Sequence, residues 1–330
     1  LAATSEQYLV VPDALRAVDL LDFLAEARPA LHHQTLRQWL AAGDIRVNGV
    51  EVLHTVRVRA GDLVEVPTDR TDQRPAPAVA HQATPRGLPT VLWESPTALV
   101  LAKPAGVPVV PDRSGADRGL HGQFEALRPG ADLRVVHRLD RDTSGCLLLA
   151  KGLAAAQHFD AQFQNQAVHK TYLALVLGVP SETRFAIDAW LGPDPRRPGK
   201  VVASASERRG YRDAHSDVEV LESFGRAALC AVLPRTGRSH QIRVHLQSVG
   251  HPIYGDRDYG GPELLLSEWK PGYKLRPGVA ERPVLARLFL HSQRLAAQDL
   301  DGQPLAVEAP LPEDLERALA LLRRHGTRRR

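Results

Sequence analysis

Between Thr68 and Pro89 the chain reads TDRTDQRPAPAVAHQATPRGLP. This stretch of Pro, Ala and polar residues shows neither helical nor strand periodicity, which marks an extended linker. It divides the chain into a small module over residues 16–67, behind an N-terminal extension (1–15), and a large domain over residues 90–322, followed by a basic tail (323–330). A length of 330 residues and an apolar content of 43% suit one large globular domain plus a smaller one.

In the small module, LLDFLAEARPALHHQTLRQWLAAGD predicts two short helices, and DIRVNGVEVLHTVRVRAGDLVEVP predicts short strands turning at Asn48-Gly49 and Gly61-Asp62. In the large domain, ALVLAKP and VPVV read as strands, as do Val135-Val136 and Cys146 to Ala150 on either side of a polar run. Gly152 to Gln166 carries Leu153, Ala156, Phe159 and Phe163 at helical spacing, and HKTYLALVLG returns as a strand. HSDVEVLESF and AALCAVLP predict an antiparallel pair. RSHQIRVHLQSVG predicts a helix ending at Gly250, and Pro312 to Arg324 an amphipathic helix with Leu315, Leu319 and Leu322 on one face. The expected class is α+β, with a mixed, mainly antiparallel sheet decorated by helices.

The two cysteines, Cys146 and Cys230, lie inside apolar runs and read as core residues. No stretch approaches the roughly 18 to 20 apolar residues of a membrane span, and LAATSEQYLV lacks a basic region before an apolar core. A soluble, cytoplasmic protein without membrane contact is expected. The net charge is +4, and its placement says more than its sum. Positive charge gathers at Arg134, Arg138 and Arg141; at Arg196, Arg197, Lys200, Arg208, Arg209 and Arg212; and at Arg235, Arg238 and Arg243. Such clusters suit phosphates or are solvated surface charge.

Two polar constellations carry chemistry. VVHRLDRDTSGCLLLAK, Val135 to Lys151, sets Asp140 and Asp142 among His137, Arg138 and Arg141 in a Ser/Gly turn between apolar segments. Nearby guanidinium groups favour a charged carboxylate, and a charged carboxylate is a nucleophile. The run by itself equally fits a solvated ion-pair cluster at a strand end. In LPRTGRSHQIRVHLQSVGHPIYGD, Leu233 to Asp256, Arg243 falls mid-helix between Ile242 and Val244, where a part-buried guanidinium needs a carboxylate such as Asp140. His240 and His245 stand five apart, off the i, i+4 spacing of a zinc pair, and no Cys or Glu completes a ligand set, so no metal is expected. A Gly-rich dinucleotide fingerprint, a P-loop and a GxSxG elbow are all missing from the sequence.

The motifs HRLDRDTSG, KTYLAL, TGRSHQIRVH, GHPIYGD and LFLHS, in this order from about Leu99 to Pro312, resemble the RluA-type pseudouridine synthase family. The small module, with DIRVNG and RAGDLVEV, is similar to the RNA-binding module named after small-subunit ribosomal protein S-four. The resemblance implies isomerisation of uridine in RNA to pseudouridine with no cofactor and no metal. The base is cut from its sugar, turned and rejoined through carbon 5.

It further implies that Asp140 is the catalytic aspartate, with Asp142 secondary, and that Arg243 pairs with Asp140. Tyr172 is implied to stack on the extracted uracil and to be a candidate for removing the carbon-5 proton, with Ile242 and Leu290 completing an apolar wall. Arg138, Arg141 and Arg238 are implied as phosphate contacts. Family members bearing such an N-terminal module favour ribosomal over transfer RNA. A noncatalytic RNA-binding or ribosome-assembly factor is the competing expectation, and a monomer is expected. Two features depart from the pattern. Ala102 stands in LAKP where a polar residue is usual, and the module sums to −1, with Arg37, Arg46, His32, His33 and Gln34 left to build its RNA face.

Overall fold

The computed structural model of the chain describes residues 8–12, 17–29, 33–48, 50–67, 89–111, 119–275 and 280–326. It divides them between two units, Leu1–Pro77 and Ala78–Arg330. The segment expected as a linker lies outside the described residues except for Pro89, as do residues 1–7 and 13–15 of the expected extension and 327–330 of the expected tail.

The first unit runs β1 (Tyr8–Val10), β2 (Val18–Asp19), α1 (Leu20–Ala27), α2 (His33–Ala42), β3 (Arg46–Val47), β4 (Val50–Glu51), β5 (Arg57–Val58) and β6 (Leu63–Glu65). Its larger sheet has the order β1-β6-β3-β4, and β2 pairs with β5. Asp19 caps α1 by accepting the Leu21 N–H at 2.9 Å, supplying a partner for one of the amides that every helix start leaves open. Leu20, Leu24, Leu36, Ile45, Val58 and Val64 form the core. Asn48 (φ +52°) takes the left-handed backbone expected at the first turn, and its side-chain amide donates to Asp62 at 2.9 Å, tying that turn to the second. Of the expected RNA face, Arg37 and Arg46 are exposed. His32 and the side chains of His33 and Gln34 lie outside the described residues.

The second unit begins with β7 (Val91–Glu94), β8 (Ala98–Lys103), α3 (Gly119–Leu127), β9 (Leu133–Val135), β10 (Ser144–Lys151), α4 (Leu153–Gln164) and β11 (His169–Leu177). It continues with β12 (Arg184–Pro193), β13 (Val201–Ser204), β14 (Arg212–Ser223), β15 (Ala227–Pro234) and α5 (Gln241–Ser248), and ends with β16 (Leu290–Gln298), β17 (Pro304–Glu308) and α6 (Glu313–His325). The strands form one sheet of order β13-β12-β14-β15-β11-β16-β10-β8-β7, with β17 beside β16 and β9 beside β10. The apolar runs of β8, β10, β11 and β15 are buried almost end to end, as strands packed on both faces should be. α6 buries Leu315, Ala318, Leu319 and Leu322 and carries acids in its first turn and bases in its last, the arrangement that suits the helix dipole. Among the described residues no helix is long and apolar enough to cross a membrane.

The mixed, mainly antiparallel α+β class is what the structure shows, and three local expectations change. Val107–Val110 forms no strand. Pro108 has no N–H to give a ladder, and the Pro108 and Val109 carbonyls instead accept the first amides of α3, from Leu120 (2.8 Å) and His121 (2.9 Å). Val136 lies beyond β9, and Val135 is half-buried rather than buried. Arg323, Arg324 and His325 form the last turn of α6, where Arg323 pairs with Glu222 at 2.9 Å.

Candidate active site

β10 and β16 run parallel and meet only at Ser144–His291 and Gly145–Ser292. Every other pairing in this sheet is antiparallel. Beyond that seam each strand acquires a different neighbour: β9 joins the far end of β10, and β17 the far end of β16. Close approach at the seam requires glycine. Gly145 has φ +117°, and a Cβ there would stand 2.1 Å from the Ser292 carbonyl oxygen. The polar run of HRLDRDTSG is the turn entering β10 at this point.

That turn is held at several places. His137 faces inward, where Nε2 accepts the Leu148 N–H at 2.9 Å and the ring stacks on Phe163 with centroids 4.9 Å apart. Burial pushes its pKa down to about 3, so the ring is neutral and its proton sits on Nδ1. Leu139 is buried in the core, and the Asp140 carbonyl accepts the Thr143 N–H at 3.1 Å. Lys103, at the end of β8, is buried and donates to the carbonyls of Pro104 (2.8 Å), Val107 (2.6 Å) and Arg141 (2.9 Å). An ammonium has three protons to place, and three carbonyls receive them. Burial pushes the Lys103 pKa down to about 8 against the opposing charges of Asp142 and Asp140, which leaves it charged at neutral pH. Arg141 closes the clamp. Its Nε donates to the Gly106 carbonyl at 3.0 Å, and Gly106 N–H returns to the Arg141 carbonyl at 2.8 Å.

The first six residues of α5 are buried on every side, with Gln241, Arg243 and His245 as deep as Ile242, Val244 and Leu246. Its polar side chains therefore need partners inside the protein. Gln241 donates to the His215 carbonyl (2.9 Å) and the Ser216 hydroxyl (3.0 Å), and that hydroxyl is hydrogen-bonded to His245 Nδ1 (3.0 Å). Arg243, 8% exposed, meets three carboxylates. It is bidentate to Asp256, with Nε to Oδ2 at 2.8 Å and Nη2 to Oδ1 at 2.7 Å. Nη2 also reaches Asp258 at 3.1 Å, and Nη1 reaches Asp140 Oδ2 at 3.3 Å. The guanidinium lies 4.8 Å from the Tyr259 ring centroid. Burial works against the charge, but the Asp256 hydrogen bonds and the acidic neighbours outweigh it and hold Arg243 protonated more firmly than a free arginine.

The arginine expected to pair with Asp140 does so, yet its main partner is Asp256, whose side chain is fully buried. Asp140 takes the remaining arm. Tyr172 stands opposite Ser292 across β11 and β16, next to a β-bulge. It packs in one apolar cluster with Leu139, Ile242 and Leu290. Burial pushes its phenol well above the ordinary tyrosine value, and the Asp140 charge adds to the shift.

The expected phosphate contacts differ among themselves. Arg138 is exposed with no ion-pair partner among the described residues, Arg141 is spent partly on Gly106, and Arg238 is turned to the Asp213 carbonyl (2.9 Å) and carboxylate (3.0 Å). Asp142 is exposed. Sequence reasoning missed Lys103, Asp256, Asp258 and Tyr259. The signal for Lys103 was a lone lysine ending an apolar strand. For Asp256 it was the acid closing GHPIYGD, within reach of an arginine already expected to need one.

The description RNA pseudouridylate synthase belongs to the family profile that matches residues 97–248. The chain is 35% identical over 288 residues to ribosomal large subunit pseudouridine synthase C of Escherichia coli (strain K12), covering 86% of each chain. It is 34% identical over 286 residues to the protein of the same name from Vibrio vulnificus (strain CMCP6), covering 85% of each. Among solved structures it is similar to human RNA pseudouridylate synthase domain containing 4. That match has a TM-score of 0.52 and 26% identity, over 71% of this chain and 92% of that one. With this likeness running through both the clamped Asp140 turn and the buried Arg243 helix, the chain belongs to the RNA pseudouridylate synthase family and is a pseudouridine synthase.

Proposed function

We propose that the chain isomerises uridine to pseudouridine in large-subunit ribosomal RNA, working in the cytoplasm as a monomer without cofactor or metal, with Asp140 as the reacting carboxylate. The observation that carries the assignment of Asp140 is the 3.3 Å contact from Arg243 Nη1 to Asp140 Oδ2. The arginine is itself fixed by a fully buried aspartate, so it orients Asp140 without moving to do so. The choice of ribosomal RNA rests on the names of the relatives, which are large-subunit enzymes.

In the isomerisation the bond from C1′ to N1 breaks, the base turns, a bond from C1′ to C5 forms, and the C5 proton moves to solvent while N1 gains one. Nothing is oxidised or reduced. The target base must leave its stack to reach the site. Tyr172, Ile242 and Leu290 give it an apolar wall, and the half-covered Asp140 carboxylate faces the sugar end. Burial disfavours the Tyr172 phenolate, so the first service of this side chain is as a wall rather than as a base. Arg138, the freest of the three expected cations, and Arg141 and Arg238 at the rim contact phosphates. The first unit, with Arg37 and Arg46 exposed, serves as an S-four-like RNA-binding module.

The test is carbodiimide primer extension across the ribosomal RNA of cells with and without the gene. One or more large-subunit sites should disappear with the gene, return with the wild type and stay absent with Asp140→Asn. An unchanged ribosomal pattern with sites lost from transfer RNA would overturn the target.

A further inference from the structure

We propose that His240 is a positioning residue for Asp140. Its Nε2–H tautomer is set by Tyr259, and it is the second donor to the carboxylate oxygen that Arg243 already holds. The inference rests on Asp140 being the reacting carboxylate and adds which of its oxygens reacts.

His240 occupies the N-cap of α5 with φ +55° and ψ +18°, and its side chain makes no capping hydrogen bond. A left-handed backbone is unfavourable for a residue with a Cβ, and capping is better served by Ser, Thr, Asp or Asn. The imidazole is engaged elsewhere. Tyr259 Oη accepts the Val201 N–H at 3.1 Å and lies 2.6 Å from His240 Nδ1. Among the described residues Nδ1 is the only acceptor within reach of the phenolic proton, so the hydroxyl donates there. An Nδ1 that accepts carries no proton, so the proton of the neutral ring is on Nε2.

Nε2 lies 4.0 Å from Asp140 Oδ2, the same oxygen that Arg243 Nη1 meets at 3.3 Å. The Arg243 cation and the neutral His240 ring are therefore both aimed at one oxygen, and among the described residues no donor reaches Oδ1. The arrangement leaves Oδ1 to the nucleotide. The 4.0 Å gap is longer than a hydrogen bond and closes with a side-chain rotation of about 1 Å when the target nucleotide is seated, as contacts of this kind do on forming the reactive complex.

The groups facing His240 are Asp140 and Asp258, which favour the imidazolium, and Arg243 and Lys200, which oppose it. Burial is the largest influence and prevails, so the ring is neutral. Tyr259 in turn is fixed against the Arg243 guanidinium and edge-on to the His240 ring, with centroids 5.6 Å apart.

The test compares single-turnover rates and RNA dissociation constants, using RNA with tritium at uridine C5 and checking folding by thermal melts. Asn reproduces only the Nδ1 position and tolerates the left-handed backbone, whereas the Gln amide nitrogen reaches the Nε2 position. His240→Asn and His240→Ala should lose about a hundredfold in rate, the scale of one preorganised donor, with binding within about threefold of wild type. His240→Gln should recover to within about tenfold. Equal rates for the Asn and Gln variants, a loss confined to binding, or an unimpaired His240→Ala would each overturn the proposal.

Asp140→Asn is run alongside. If it stays active, the catalytic reading of Asp140 fails. If it is inactive while all His240 variants are unimpaired, only the inference about His240 fails. A nitrogen-15 spectrum of the resting wild type should show His240 Nδ1 unprotonated. A protonated Nδ1 overturns the assignment whatever the variants do.

Discussion

Asp256→Ala isolates the part of the site that the sequence left unassigned. The substitution removes both partners of the Arg243 fork, at 2.8 and 2.7 Å, and leaves a buried guanidinium facing Asp258 at 3.1 Å and Asp140 at 3.3 Å. Removing one member of a buried ion pair costs roughly 3–5 kcal/mol, because the other charge stays desolvated. Two acidic neighbours remain, so the lower figure, about 3 kcal/mol, is expected. For a unit of this size that is a fall of about 6–12 °C in melting temperature. The Arg243 arm that meets Asp140 loses its anchor, so kcat should fall by at least about tenfold. Melting is followed by circular dichroism or calorimetry, and turnover by tritium release. Asp258→Ala is the control. Its carboxylate is 38% exposed and also paired with Lys200, so its removal should cost no more than about 1 kcal/mol. An Asp256→Ala protein melting within about 2 °C of wild type, or one no worse than Asp258→Ala, would refute the idea that Asp256 anchors the arginine.

Gly145→Ala should destabilise the second unit by at least about 2 kcal/mol, since its Cβ would collide with the Ser292 carbonyl at the seam and its φ is unfavourable for alanine; an unchanged denaturant midpoint would count against the seam as a tight contact. Acid should destabilise the protein before the carboxylates titrate. His245 and His291 are buried and held neutral, their pKa values pushed down to about 4 by burial. The unfolded chain protonates both below its ordinary histidine value, near 6.5, while the folded chain does not. Their contribution is thus whole above pH 6.5 and lost as pH falls toward 4, at a slope approaching about 1.4 kcal/mol per pH unit for each histidine. His215 has the opposite sign. Hydrogen bonds donated by its ring to Asp188 and Asp217 outweigh burial and raise its pKa, so its small stabilisation is full below pH 6.5 and lost as pH rises through the raised value. Urea midpoints measured from pH 9 to 4.5 check both signs, and a flat profile below pH 6.5 would contradict the buried neutral histidines.

The strands of the second unit were legible where an apolar run was long enough to be buried on both faces, as in β10, β11 and β15. VPVV misled because its composition is that of a strand while its proline and its capping of α3 decide its backbone. The seam could not be read at all. It joins Gly145 to Ser292 across residues far apart in sequence, and only the parallel contact shows why Asp140 sits where the sheet opens. Asp140, Tyr172 and Arg243 were reachable from motifs plus the need of a part-buried arginine for an acid. Asp140 seemed the natural partner because HRLD had already drawn attention. Asp256 is the deeper one, since the loop from Gly255 to Gly261 folds back under α5, a tertiary event with no local signature. Lys103 was hidden for a similar reason, its partners being backbone carbonyls that every sequence possesses.

The central claim is that the Asp140 carboxylate performs the chemistry. The most direct measurement is the single-turnover rate of tritium release from C5-labelled uridine RNA for wild type and Asp140→Asn, with RNA affinity determined in parallel. Asparagine keeps the size of the side chain and an oxygen for Arg243 but removes the charge and the nucleophile. The rate should fall by at least about a thousandfold, roughly 4 kcal/mol in the barrier, with affinity within a few-fold of wild type. A variant whose rate stays within about tenfold of wild type would contradict the account, because so small a loss is what removing a neighbour, not the reacting group, produces.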